Sequence, residues 1–353
     1  RLTSSHRGVG PEFHHQSVGV LQTVLNSGLT PFEEPTMPLA EFSLIDRFFA
    51  AQKQRRGDVA LGIGDDAAVV DVPPGEQLVV AVDTLVAGVH FPENATAFDI
   101  GHKALAVNLS DMAAMGATPR WTTLALTLPQ PDELWVADFA RGFLALADRF
   151  DVQLIGGDTT CGPLCVSVQI LGTLPHCQAL RRAGARVGDR IFVSGSLGDA
   201  GLALRLLQSE RPCADDSRAV LDARLHRPEP RVALGERLHG LASAAIDISD
   251  GLLADLGHIL DGSGVGAEVH VERLPRSPAF QACVAPQSAD WFALPLAAGD
   301  DYELCFTAAP EHRESLEIMA HELGIRITDI GVIEAAPGLR CRREDRREFQ
   351  PAR

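Results

Sequence analysis

Lysine is almost missing from this chain. Of 31 basic residues only Lys53 and Lys103 are lysines, and arginine supplies the rest. Against 47 acidic residues this leaves a formal charge of −16. Such a surface repels nucleic-acid backbones and anionic membranes, so neither is expected as a partner. Nucleotide phosphates stay within reach if divalent metal separates the two sets of negative charge. Every long apolar run is broken by charge before ~18 residues, which leaves no candidate membrane-spanning helix. The seven cysteines are scattered and form no C-x-x-C pair, so a zinc site of the usual spacing is excluded. They read as buried or idle thiols in a reducing cytosol. Also absent are a G-x-x-x-x-G-K-[ST] loop, the H-R-D and D-F-G strings, and any H-x-x-x-H. The run Gly195-Ser196-Leu197-Gly198-Asp199-Ala200-Gly201 spaces its glycines unlike the dinucleotide fingerprint. It is compatible with close strand–helix packing or with a phosphate contact.

What is present is a core. At 353 residues and 46% hydrophobic content the chain is expected to form two packed domains. Residues 1–36 mix His, Ser, Gly and Pro without a sustained period, and read as a tag or disordered tail. Met37 is a natural start, followed by an amphipathic helix over Glu41–Gln54. Beyond it short apolar strands alternate with longer helical patterns. Strands are expected over Ala67–Val72, Gln77–Val82, Trp121–Leu128, Gln153–Ile155, Cys165–Leu174, Arg190–Ser194, Ala244–Ile248 and Tyr302–Thr307. Helices are expected over Ile100–Met115, Pro131–Phe150, Ala200–Gln208, Pro230–His239, Leu252–Leu260 and Pro310–Leu323. With no repeat of 20–50 residues, the class is α/β (α+β). The stretch His176–Asp189 divides it into domains 37–178 and 179–353.

The informative residues are aspartates at strand tips and inside apolar helices, where an ionised carboxylate needs compensation. Gly64-Asp65-Asp66 leads into an apolar strand, and Val79–Val82 delivers Asp83 at its end. Either could be a solvated turn. In Lys103–Gly116, Asn108 and Asp111 lie three apart and share one face of an otherwise apolar helix. Gly156-Gly157-Asp158 follows a strand, where paired glycines would let the backbone approach a bulky ligand. In Asp247-Ile248-Ser249-Asp250-Gly251, Ser249 or Asp250 could cap the next helix, whose N-terminus would seat a phosphate. Gly299-Asp300-Asp301 repeats the first pattern. Six such motifs converging on a cleft suit Mg²⁺, a hard ion that keeps water and substrate phosphates in its shell. His90, just after the Asp83 strand, is the one histidine placed to meet a substrate, or else a satisfied loop residue.

Taken in order, GIGDDAAVV, VDTLVAGVHF, KALAVNLSDMAAMGATPRW, QLIGGDTT, IDISDGLLADLGHI and GDDYELCFT closely resemble the thiamine-monophosphate kinase family. That family lies in the ATP-binding superfamily of aminoimidazole ribonucleotide synthetase and selenophosphate synthetase. The resemblance covers nearly everything after Met37. It implies a cytoplasmic, two-domain enzyme whose N-terminal domains pair in a homodimer. The implied reaction is ATP-dependent phosphorylation of thiamine monophosphate by direct in-line transfer with several Mg²⁺ ions. Carried over by position, metal would be held by Asp66, the Val82 backbone, Asp83, Asp111, Asp158, Asp247 and Asp250. Asp111, Asp83 and Asp158 would serve the chemistry. ATP would meet Gly157, Asp158, Arg182 and Ser249, and the acceptor would meet His90, Asp300 and Phe349. At position 300 relatives often carry Glu, and the tail around Phe349 departs from the family pattern. Selenophosphate synthetases would show a reactive Cys early in the core, and hydrogenase-maturation members a terminal Cys; neither is present. A non-catalytic nucleotide- or thiamine-binding regulator on the same fold is the rival reading, but every ligand aspartate is intact. A chain started at Met37 is expected to keep full stability and turnover. A marked fall in either would give residues 1–36 a working role.

Overall fold

The computed structural model describes residues 45–49, 56–130, 132–209, 212–345 and 347–349. The tail 1–36 lies outside them, as does the expected helix Glu41–Gln54 apart from a π-helical turn at Ile45–Phe49. Strands β1 (Val59–Leu61) and β2 (Val69–Val70) form a short antiparallel ribbon. Next come β3 (Glu76–Val86), helix α1 (Ala97–Met115), β4 (Thr118–Leu128), helix α2 (Glu133–Arg149), β5 (Gln153–Cys161) and β6 (Cys165–Pro175). These strands make a sheet of order β3-β6-β4-β5, antiparallel except between β4 and β5.

After Pro175 the chain leaves that sheet, and from Arg190 it builds another. Its first elements are β7 (Arg190–Ser194), α3 (Asp199–Leu207), α4 (Asp215–His226), α5 (Val232–Arg237) and β8 (Ala242–Asp247). Then follow α6 (Leu252–Ser263), β9 (Gly266–His270), α7 (Pro278–Cys283) and α8 (Asp290–Ala297). The last are β10 (Leu304–Ala308), α9 (Arg313–Leu323), β11 (Ile327–Glu334) and β12 (Gly338–Arg342). The strand order is β12-β9-β11-β7-β10-β8, with β12 and β9 parallel and the other pairs antiparallel. This is the expected mixed α+β class.

Helix α1 organises the interior. Thr96 opens it by accepting from the Asp99 backbone N–H, and Gly116 closes it in the left-handed region at φ 68°. Between them Ala104, Leu105, Ala106, Leu109, Met112 and Ala113 have no exposed surface. A helix apolar on every side has to be covered on every side. Strands β3, β4 and β6 cover one flank, and α2, α5 and β8 cover others. Glycine permits the closest approach: a Cβ on Gly142 of α2 would stand 2.1 Å from the Phe98 carbonyl oxygen. One on Gly101 of α1 would stand 2.2 Å from that of Phe139.

Several expectations need correction. β5 does not end at Ile155 but runs on to Cys161, because Gly157 and Asp158 pair with Leu124 and Ala125 of β4. β10 starts at Leu304, not Tyr302, since Asp300 and Tyr302 have φ 65° and 49° and cannot join a ladder. Strands β1, β9, β11 and β12 and helices α4, α7 and α8 were not anticipated. α4 is mostly polar, and only Leu221 and Leu225 are buried, so its apolar period is weak. Cys213 and Cys283, 70 residues apart and read as idle thiols, form a disulfide beside the small core shared by α3, α4 and α7.

The edge strand β3 leaves Leu78, Val80 and Val82 exposed at 44%, 50% and 63%, alternate residues that share one face. For the α1–α2 seam, Gly142→Ala forces the helices apart at a backbone contact. It is expected to cost ~1–3 kcal/mol or more in urea unfolding. An unchanged midpoint would mean that the helices separate freely.

Candidate active site

Three carboxylates meet where β3, α1 and β8 come together. Asp83 and Asp111 lie close enough to shift each other's titration, so a proton or a cation has to offset their repulsion. Burial pushes Asp111 up to about 7; the charges of Asp247 and Asp83 add to this, and Arg182 opposes it. Asp247 rises to about 6, again chiefly by burial, although the Ser110 hydroxyl donates to its Oδ2 at 2.7 Å. Asp83 is raised by burial too, with the nearby His90 opposing the rise. A cavity of about 220 Å³ opens onto Asp111, Asp247 and Arg182.

His90 is held by its backbone neighbours. Its Nδ1 accepts from the Val86 N–H at 3.1 Å, so a neutral ring carries its hydrogen on Nε2. The tight turn between them uses Gly88 at φ 74°.

A second cavity, of about 810 Å³, combines Asp66 and Asp158 with an apolar wall that includes Ile63, Leu154 and Ile155. Gly156 faces open space there, whereas a Cβ on Gly157 would stand 1.9 Å from the Leu124 carbonyl oxygen. Glycine at 157 therefore answers to strand packing, and Gly156 is the residue that leaves room for a ligand.

The turn Ser249–Gly251 also differs from its expected form. Neither Ser249 nor Asp250 caps α6. Instead Asp255 reaches back from the first turn, and its Oδ2 accepts from the N–H groups of Ser249, Asp250 and Gly251 at 3.0, 3.1 and 3.0 Å. Those three donors, which precede the first helical residue Leu252, are therefore taken up within the chain. Asp255 was legible only as an acid in the first helical turn.

The loop 299–303 is stitched to this turn. The Asp300 N–H donates to the Ser249 carbonyl at 2.9 Å, and that of Tyr302 to Ile248 at 2.8 Å. The Tyr302 hydroxyl donates to Asp300 Oδ1 at 3.1 Å. Burial raises the Tyr302 hydroxyl well above its ordinary value, and Asp300, Asp247 and Asp83 raise it further, which ties the loop to the carboxylate cluster. Asp301 accepts from the Gly198 N–H with both oxygens. Fully buried Glu303 is pushed up by burial, yet Arg231, Arg224 and Ser194 hold it below its ordinary value. Tyr302, Asp301 and Glu303 appeared in the sequence only as neighbours of Asp300.

Phe349 is part-buried beside Phe292, their ring centres 5.3 Å apart, with the Arg343 guanidinium over both rings. Val82 points its side chain outward from the β3 edge. Among the described residues no three His, Cys, Asp or Glu side chains are grouped to hold a metal ion by themselves. The donor chemistry nevertheless fits Mg²⁺, since hard carboxylate oxygens crowd together at a repulsive cost and leave most of a coordination shell for water and phosphate.

Residues 64–174 match the AIR synthase related protein N-terminal domain, and residues 186–344 the corresponding C-terminal domain. Over 300 residues, covering 85% of this chain and 92% of the relative, it is 47% identical to the thiamine-monophosphate kinase of Salmonella typhimurium. The chain belongs to the thiamine-monophosphate kinase family. The Caulobacter vibrioides member is 39% identical over 86% of each chain. The crystal structure of thiamine-monophosphate kinase from Stenotrophomonas maltophilia is 52% identical, with TM-score 0.80, covering 86% of this chain and 97% of that one. The structure of AaThiL complexed with AMPPCP and TMP is 30% identical, with TM-score 0.71, over 89% and 96%. Hydrogenase maturation protein HypE, at 20% identity and TM-score 0.71 over 88% and 94%, shares the fold.

The raised carboxylates make a signed prediction about stability. Asp111 and Asp247 hold protons more tightly folded than unfolded, so stability falls as pH rises from the ordinary carboxylate range towards about 7. Without divalent metal the melting temperature is expected to drop across that window. Added Mg²⁺ is expected to raise it more above the window than below, at constant ionic strength. An equal gain on both sides would detach these carboxylates from metal binding.

Proposed function

We infer that this chain transfers the terminal phosphoryl group of ATP to the phosphate of thiamine monophosphate, giving thiamine diphosphate. The observation that carries this is likeness along almost the whole length of enzymes of that activity, 47% over 92% of the Salmonella protein. The AaThiL complex with AMPPCP and TMP supports the same pair of ligands. The acceptor is a phosphate oxygen, already anionic, so no strong general base is needed. That agrees with a site rich in carboxylates whose one nearby histidine spends Nδ1 on a backbone N–H.

In this reading Asp66 and Asp158 hold the nucleotide end, with Gly157, Arg182 and Ser249 beside the ATP phosphates. Asp83, Asp111, Asp247 and Asp250, with the Val82 backbone, face the transferring group. His90, Asp300 and Phe349 meet the acceptor. Mg²⁺ held by these carboxylates would neutralise the two phosphate groups, which otherwise repel each other. Asp247 is buried and Asp111 half-buried, which limits the bulk water that can compete for the transferred group. Transfer is direct, with Arg182 holding the ATP phosphates and no covalent phosphoenzyme.

The reading extends to organisation. Residues 37–178 act as the metal-binding and dimerising domain, and residues 179–353 close the cleft. The exposed stripe Leu78, Val80 and Val82 supports pairing of two copies through the β3 face. Among the described residues no helix is long and apolar enough to cross a membrane, and a cytoplasmic site of action follows from the use of ATP.

Single-turnover transfer from chirally labelled ATP tests the proposal. Inversion at phosphorus and no labelled protein are expected, and Asp111→Asn should slow transfer by on the order of 100-fold or more while staying folded. Retention would overturn direct transfer. Tight Mg–ATP binding without transfer would favour the regulator.

A further inference from the structure

Lys103 is the one lysine among the described residues, and it lies inside the protein. It sits on α1 with only 2% of its surface exposed. A four-carbon stem suits that place, but an ammonium group with three donors does not unless acceptors surround it. None is in hydrogen-bond geometry with Nζ. Among the described residues its ion-pair partner is Asp300 Oδ2, at 3.1 Å. The other oxygen of that carboxylate accepts from the Tyr302 hydroxyl at 3.1 Å. Asp300 is thus held at both oxygens, yet its side chain remains 30% exposed.

The hold has a backbone counterpart. Asp300 and Tyr302 both occupy the left-handed region, at φ 65° and 49°, which an aspartate tolerates and a tyrosine rarely adopts. Such a loop persists only when its surroundings over-determine it. Asp301 and Glu303 are anchored within the second half of the chain, to Gly198 and to Arg224 and Arg231. Asp300 is anchored across to α1 instead. Eight residues further along that helix, about 12 Å by its rise, stands Asp111. One rigid helix therefore sets the spacing between the phosphate-facing carboxylates and Asp300.

We propose that Lys103 is a positioning residue of the acceptor site, fixing the Asp300 carboxylate and partly neutralising it, so that its free edge receives a cationic heterocycle. The thiazolium ring of thiamine phosphates is such a group. A carboxylate held rigidly but half-paired selects a diffuse ring cation without binding free divalent metal in its place. The inference rests on the reading that Asp300 faces the acceptor.

The test uses the full chain and measures thiamine monophosphate and ATP binding by calorimetry, with KM for each where turnover occurs. Lys103→Met is expected to weaken thiamine monophosphate binding ~10-fold while leaving ATP binding within ~2-fold. Asp300→Asn should show a similar loss, and the double variant little more than either alone, because the two side chains act as one unit. If Lys103→Met does not fold, Lys103→Gln, which keeps length and one donor, carries the same comparison. Unchanged thiamine monophosphate binding in a folded Lys103 variant overturns the inference, as does an equal loss for ATP or simple additivity with Asp300→Asn. Wild-type protein that binds no thiamine monophosphate overturns the underlying reading, and the inference with it. Wild-type binding with an inert Asp300→Asn removes Asp300 from the acceptor site.

Discussion

Helix α1 offers water no apolar-free side, and covering it dictates the arrangement of everything near the site. The first sheet alone covers one flank. The rest is closed by α2, α5 and β8, so a strand from the second sheet is drawn against a helix from the first half. The buried apolar cluster consequently runs from Leu105 and Leu109 through to Phe192, Leu304 and Phe306 without a break. Burying that much apolar surface supplies the free energy to bring polar residues at the same seam where water alone would not put them.

That seam is where the like charges collect. Asp83, Asp111 and Asp247 come from a strand, a helix and another strand, and each is raised chiefly by loss of solvent. In the proposed reading a small hard cation bearing phosphate would offset that repulsion, with these carboxylates among its ligands.

The loop 299–303 shows a different solution to burying charge. Each of its acids has a dedicated partner set: Asp301 takes a backbone N–H, and Glu303 takes two guanidinium groups and a hydroxyl. Asp300 takes Lys103 and Tyr302. Only Asp300 keeps an exposed edge. Asp301 and Glu303 are structural in effect, because both are buried and neither presents an edge to a ligand.

Local pattern alone was enough for the class and for helix α1 with its glycine stop; of the acids read at strand tips Asp247 does end β8, whereas Asp83 and Asp158 lie within β3 and β5. Those features depend on period, turn chemistry and the cost of a carboxylate in an apolar run, all of which act between near neighbours. The family strings carried the chemistry for the same reason, since they are contiguous. Tertiary structure decided which acids meet, because Asp83, Asp111 and Asp247 are separated by whole elements and their mutual repulsion exists only after folding. It reassigned Gly157 to the carbonyl of Leu124, and gave the α6 start to Asp255. It paired Cys213 with Cys283 and turned a solitary lysine into the partner of Asp300. Each of these is a contact between distant segments, and no period or spacing within either segment encodes the other's position.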